Sequence, residues 1–169
     1  MVCRVDLGRV NHLEPTPVCS VGTHCGDIGV FSVYANRDEI AVIDRSVKPR
    51  QCAGELCART VMTVSTHTVR RGGIRYTVMG YTLMDRRYRG CGISAAVYEL
   101  AAHTVGPIMS GSAQSAGGRA IWNSLVKRGK LTVAALWKGE FWECEATEFG
   151  EVDTEHFSVY NTASRLVAA

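Results

Sequence analysis

Thr82-Leu83-Met84-Asp85-Arg86-Arg87-Tyr88-Arg89-Gly90-Cys91-Gly92-Ile93-Ser94-Ala95 is the stretch on which the fold turns. It closes a run rich in β-branched and aromatic residues, Ile74 to Met84, which reads as a strand. It then crosses a polar, glycine-containing loop, Asp85 to Gly92, and opens a helix over Ile93 to His103. There Ala96, Val97, Leu100 and Ala101 keep amphipathic spacing. A helix that starts directly after a glycine turn presents unpaired N–H groups and the positive end of its dipole, a combination suited to phosphate oxygens. Gly90 and Gly92 let a ligand approach the main chain, and Arg86, Arg87 and Arg89 add positive charge. The loop is neither a Walker sequence nor a full dinucleotide fingerprint.

Upstream, Thr60 to Val69 is a second strand-like run, joined to Ile74 to Met84 by Arg70-Arg71-Gly72-Gly73 in a hairpin. Gly80 inside the second strand is costly there unless it forms a bulge. Ile28 to Ala35 and Glu39 to Val47 form another expected hairpin about Asn36-Arg37-Asp38. Between the hairpins, Cys52, Leu56 and Cys57 fall on one helical face, so a short helix giving way to a strand near Thr60 is expected. The beginning reads as one strand, Val2 to Val10, and then loop to about Asp27. Downstream follow a short strand at Pro107-Ile108-Met109 and a helix from Gly118 to Arg128 stopped by Gly129. A hairpin of Leu131 to Trp137 with Phe141 to Ala146 turns about Lys138-Gly139-Glu140. The tail beyond Thr147 is left unassigned.

With these elements in place, the quoted stretch resembles the central motif of the GNAT N-acetyltransferase family, Arg/Gln-x-x-Gly-x-Gly/Ala after a strand ending in apolar-Asp-x-x-Tyr. Arg89 and Gly92 match, and Ser94 stands where Gly or Ala is usual. The resemblance implies an α/β (α+β) fold with a mixed, mostly antiparallel central sheet flanked by helices and split to admit acetyl-coenzyme A. It implies that amides from Cys91 through Gly92, Ile93 and Ser94 to Ala95 hold the pyrophosphate, with Arg89 and Gly90 beside them. The backbone of Leu83 and Met84 would pair with the pantetheine arm, and Gly80 would open the split. Ser112 to Leu125 resembles the family's second cofactor-side helix, in a version associated with bacteriophage-encoded members. Ser115 stands there where a coenzyme-contacting Asn is common. The match covers about residues 60–146, within a single domain spanning 1–169. The part before it lacks the two helices that usually carry acceptor specificity.

Transfer to an amine needs the amine deprotonated and a proton for the departing thiolate. The family often places a glutamate and a tyrosine for this, at positions that here hold Val78 and Trp122. A substitute pair comes from the hairpin: if Val69 faces Ile74, then His67 lies opposite Tyr76, and the two could act as base and acid. Cys91 as a nucleophile is disfavoured because the loop faces pyrophosphate. Trp122, Trp137 and Trp142 are read as core.

Charge and composition narrow the rest. Nineteen Lys and Arg against sixteen Asp and Glu leave a formal charge of only +3, without a basic run, so nucleic acid is not an expected partner. No stretch approaches the ~18 uninterrupted apolar residues of a spanning helix, and the beginning has no signal-peptide pattern, so the expected location is the cytoplasm, the host's if the source is viral. Seven cysteines without a regular framework read as free thiols; Cys19, His24, Cys25, Cys52 and Cys57 lack the spacing of a structural zinc module. The expected function is acetyl transfer from acetyl-coenzyme A to an amine, a similar small nucleophile or a protein side chain. The alternative is a catalytically weak family member that binds and modulates a host protein.

Overall fold

The computed structural model describes residues 13, 15–17, 22–111, 115–137, 140–143 and 164–168. In chain order the strands are β1 (Thr16–Pro17), β2 (Thr23–Ile28), β3 (Phe31–Ala35), β4 (Glu39–Asp44), β5 (Arg50–Cys52), β6 (Glu55–Ala58), β7 (Thr60–Arg71) and β8 (Ile74–Met84). A 3-10 turn, Arg86–Tyr88, leads into helix α1 (Ile93–Val105). Then come β9 (Ile108–Ser110), helix α2 (Ala116–Arg128), β10 (Val133–Trp137), β11 (Glu140–Glu143) and β12 (Ser164–Ala168).

Nine strands make one sheet in the order β11-β10-β12-β9-β8-β7-β4-β3-β2, and β1-β6-β5 make a small second sheet. In the large sheet every neighbouring pair is antiparallel except β8 and β9. A parallel pair cannot be closed by a tight turn and needs a crossover, which α1 supplies. The expected mixed, mostly antiparallel sheet with helices packed on it is therefore present.

Alternation along β8 divides the interior. Met79 belongs to the main core with Val33, Val42 and Val64 of the sheet, Val97 of α1, and Trp122 and Leu125 of α2. Its neighbour Val78 joins Tyr76, Met109 and Ala134 in a smaller cluster on the opposite face.

The β7–β8 hairpin turns on Gly72 (φ 53) and Gly73 (φ 81) alone, the left-handed conformation at both central positions that a two-residue hairpin loop demands. Arg70 and Arg71, expected in the turn, pair with Arg75 and Ile74. Strand β7 is two residues longer than its composition suggested, and the register moves accordingly. Val69 faces Tyr76 and His67 faces Val78, so the expected His67–Tyr76 cross-strand pair is not formed.

The helix expected around Cys52 to Cys57 is instead the β5–β6 hairpin, pairing Arg50 with Cys57 and Cys52 with Glu55. Ala53 (φ 50) and Gly54 (φ 88) make another two-residue turn, which breaks any helix there. The run from Ile28 is interrupted at Gly29, and the segment before it, read as loop, is strand β2 at the sheet edge. The unassigned tail contributes β12 between β9 and β10. The expected strand Val2 to Val10, residues 112–114 of the second motif, the turn at Lys138-Gly139 and the end of the last hairpin lie outside the described residues.

Candidate functional site

The site starts at Gly80. Val64 pairs with Thr82 and Thr66 with Met79, so Gly80 and Tyr81 together oppose Ser65: a β-bulge. A Cβ at Gly80 would lie 2.7 Å from Ser65 Oγ and 3.0 Å from Ser65 O, so any larger residue requires Ser65 to shift. The Tyr81 N–H donates to Ser65 Oγ at 2.7 Å.

On its other edge β8 pairs with β9 only from Thr77 to Met79, and among the described residues no strand continues alongside Gly80 to Met84. Tyr81 N–H and Asp85 N–H both point towards β7, the latter reaching Val61 O at 2.9 Å. Backbone groups alternate along a strand, so those of Thr82 and Met84 point the other way, into the gap, while those of Leu83 face β7. Of the two residues expected to offer their backbone to a ligand, Met84 faces the gap, as Thr82 does, and Leu83 faces β7.

The loop is braced from within. Asp85, 1% exposed, accepts from Arg87 N–H at 3.0 Å and from the Arg87 guanidinium at 3.1 and 2.6 Å. That contact, foremost, raises the Arg87 pKa above its ordinary value. Tyr88 donates its hydroxyl to Asp44 Oδ2 at 2.7 Å and packs edge-on against Phe31. Burial pushes the Asp44 carboxyl upward, but hydrogen bonds from Ser46 and Tyr88 and the charge of Arg59 outweigh it and hold its pKa below the usual carboxylate value. Arg87 is thus engaged structurally. The Arg89 guanidinium donates to Met84 O at 3.2 and 3.3 Å, closing over the end of the open edge.

Gly90 (φ 77) and Gly92 (φ 73) are both left-handed, and a Cβ on either would meet open space. Their requirement is conformational. Gly92 caps α1 without a side chain, and Ala96 N–H returns to Gly92 O at 3.2 Å. The N–H groups of Ile93, Ser94 and Ala95 precede the first intrahelical donor, as in any helix start. Cys91 is exposed and its thiol lies 3.7 Å from Arg89 O.

A cavity of about 580 Å³ opens over this helix start. Phe31, Tyr88 and Ala96 give it apolar walls; Gly92, Lys127 and Arg128 give it an N-terminal backbone and positive charge. Arg128 Nε lies 2.9 Å from Glu99 Oε1, which ties the end of α2 to the middle of α1.

Ser115 caps α2, accepting from Gly118 N–H at 3.1 Å. Trp122 is 3% exposed and meets Tyr98 of α1 edge-on, with ring centroids 5.8 Å apart. The Tyr98 hydroxyl lies 3.1 Å from Thr82 Oγ1, on the strand bordering the gap. Burial, partly offset by this hydrogen bond, raises the Tyr98 pKa, so the phenol keeps its proton. The sequence reading missed Tyr98, because at its helical position an aromatic is ordinary core.

Tyr76 is buried beside Val78 and Met109, whereas His67 is exposed and diagonal to it. Val78 is itself core. Among the described residues no group of three or more His, Cys, Asp or Glu is placed to hold a metal ion, and no helix is long and apolar enough to cross a membrane.

No protein-family model and no curated protein matches the chain. Among solved structures it is similar to a mutant of the AtaT toxin bound to the C-terminus of the antitoxin AtaR and acetyl-CoA, at TM-score 0.30 and 12% identity. The match covers 57% of this chain and 59% of the toxin chain, less than two thirds of either. A likeness of that extent carries no weight for function.

Proposed function

We propose that this protein binds acetyl-coenzyme A in the gap beside β8 and transfers its acetyl group to an amine, a similar small nucleophile or a protein side chain. The observation that carries the reading is the Gly80 bulge. It leaves the backbone of Thr82 and Met84 facing an open edge that runs directly to the left-handed glycines and the start of α1. A pantetheine arm carries amides that pair with such an edge as a strand would. Pyrophosphate suits the N–H groups from Cys91 to Ala95, and Lys127 and Arg128 supply further positive charge over the same helix start. Arg89, which donates to Met84 O, stands at the end of this edge and would meet a phosphate oxygen as the arm enters. Ser115 contributes from the start of α2.

Transfer itself asks little of the chain. The amine nitrogen attacks the thioester carbon, the C–S bond breaks, and the amine loses a proton as the thiolate gains one. Positioning alone accelerates such a step strongly. Because His67 and Tyr76 are not cross-strand partners, the proposal gives them no acid–base role.

Calorimetry with acetyl-coenzyme A tests the premise: one-site binding is expected, abolished by Gly92→Trp, which places a bulky side chain at φ 73 in the loop. Absent binding, or equal affinity for the variant, removes the reading. A second reading, a coenzyme-binding protein that modulates a protein partner, is favoured by Val78 and Trp122, both packed in the core where proton-transfer groups would stand. Coenzyme binding without thiol release on a panel of amines selects it.

A further inference from the structure

Thr82 offers the gap more than its backbone. Its side chain lies on the helix face of β8, since its partner Val64 belongs to the main core, yet Thr82 is only half-buried. Its Oγ1 is 3.1 Å from the hydroxyl of Tyr98, a residue 3% exposed whose ring is held edge-on by Trp122. A phenol is the stronger donor of the two hydroxyls, and a buried one gives up its hydrogen bond least readily. The contact admits either hydroxyl as donor, and the more acidic phenol of Tyr98 is the better one. With Tyr98 donating, one lone pair of Thr82 Oγ1 is engaged and the threonine hydrogen is left for another acceptor, on the strand that β9 leaves after Met79 among the described residues.

We infer that Thr82 is a hydrogen-bond donor to the acyl carbonyl oxygen of the bound thioester, with Tyr98 and Trp122 as the residues that position it. The inference rests on the acetyl-coenzyme A reading above and assigns the polarising group of that site. When the amine adds, the carbonyl oxygen gains negative charge and the Thr82 O–H···O bond shortens. No proton leaves threonine, and the oxygen regains its double bond as the C–S bond breaks. A donor oriented before the reaction is worth more than one that must reorganise during it. The arrangement also gives Trp122 a role other than packing, because tryptophan fixes the ring whose hydroxyl sets the threonine.

The test compares coenzyme A with acetyl-coenzyme A carrying a ¹³C-labelled carbonyl, by calorimetry and difference infrared spectroscopy. Wild type is expected to favour the acetylated form by about fivefold, the worth of one neutral hydrogen bond, and to shift the carbonyl band to lower frequency. Thr82→Val, which keeps the shape of the side chain, should lose both the preference and the shift. Thr82→Ser should retain them. Tyr98→Phe, which keeps the contact with Trp122, should broaden and weaken the shift without changing coenzyme A affinity. It also supplies the test should Thr82→Val fail to fold. An unshifted band in wild type, or a full shift in both Thr82→Val and Tyr98→Phe, overturns the assignment while leaving coenzyme binding intact. Binding of neither ligand overturns the underlying reading, and this one with it.

Discussion

Single residues in this protein are fixed by three different demands, of space, backbone conformation and charge. Gly80 is fixed by space: an alanine methyl group would have to move Ser65 Oγ and its carbonyl, at 2.7 and 3.0 Å. Gly80→Ala should cost about 2 kcal/mol by overpacking, read as a lower denaturant midpoint at unchanged slope, and should weaken coenzyme binding as the bulge flattens. Gly92 is fixed by conformation, with open space where a Cβ would sit. Gly92→Ala should therefore cost only about 1 kcal/mol while still reducing affinity, because the first-turn N–H groups tilt away. Asp44 is fixed by charge. Its carboxyl is held below the ordinary value by Ser46, Tyr88 and Arg59 against the opposing effect of burial. Its contribution is thus fully present above its unfolded pKa, ordinarily about 3.9, and is lost as the pH falls through the lower folded value. The melting-temperature difference between wild type and Asp44→Asn should be largest at neutral pH and shrink below about pH 4. A constant difference across that range would mean that the ionised carboxylate is not what braces Tyr88.

At the scale of elements, the legible parts of the sequence were those with local causes. The β3–β4 and β7–β8 hairpins, the loop and both helices follow from periodicity, turn residues and the helix stop at Gly129. The β5–β6 hairpin was not legible, because Cys52, Leu56 and Cys57 also fit a helical face, and only the left-handed backbone of Ala53 decides the matter. That residue is a liability: a β-carbon at φ 50 costs of the order of 1 kcal/mol. Ala53→Asn should raise stability by about 0.5 kcal/mol, asparagine being favoured in such turns, and a lower melting temperature would argue against this turn type. The register of β7 on β8 turned on whether two or four residues form the turn, a choice that composition leaves open, and the His67–Tyr76 pairing failed with it. Strand β12 was invisible because its partners Met109 and Val133 are distant in sequence and its own segment has no strong period. The site was half legible. Its loop could be read from glycines, whereas the direction of the Thr82 and Met84 backbone depends on a bulge whose partner, Ser65, gives no signal of its own.

For the whole molecule, the consequence is an asymmetry between a finished half and an open seam. Strands β2, β3, β4, β7 and β8 are paired along their lengths, with register shifts at His24/Gly26, Val42/Ile43 and Val64/Thr66, and α1 packs back over them at Gly26 and Leu100. Among the described residues the β9-side strands join β8 through three paired positions, from Thr77 to Met79. A ligand that pairs with the open edge would therefore bridge parts of the sheet that otherwise share little backbone bonding. Saturating acetyl-coenzyme A at about a hundred times its dissociation constant should stabilise the fold by about 2.7 kcal/mol through mass action. Where that stabilisation falls is the sharper expectation. Hydrogen exchange should slow at the amides of Thr82 and Met84, which face the gap, and at Ile93 to Ala95, which start α1. The amides of Tyr81 and Asp85, already bonded to Ser65 and Val61, should change little. Coenzyme-dependent protection confined to the helix start would place the nucleotide half correctly but leave the seam empty. Protection at Thr82 and Met84 without it at Tyr81 is the pattern that only a strand-like arm beside β8 produces.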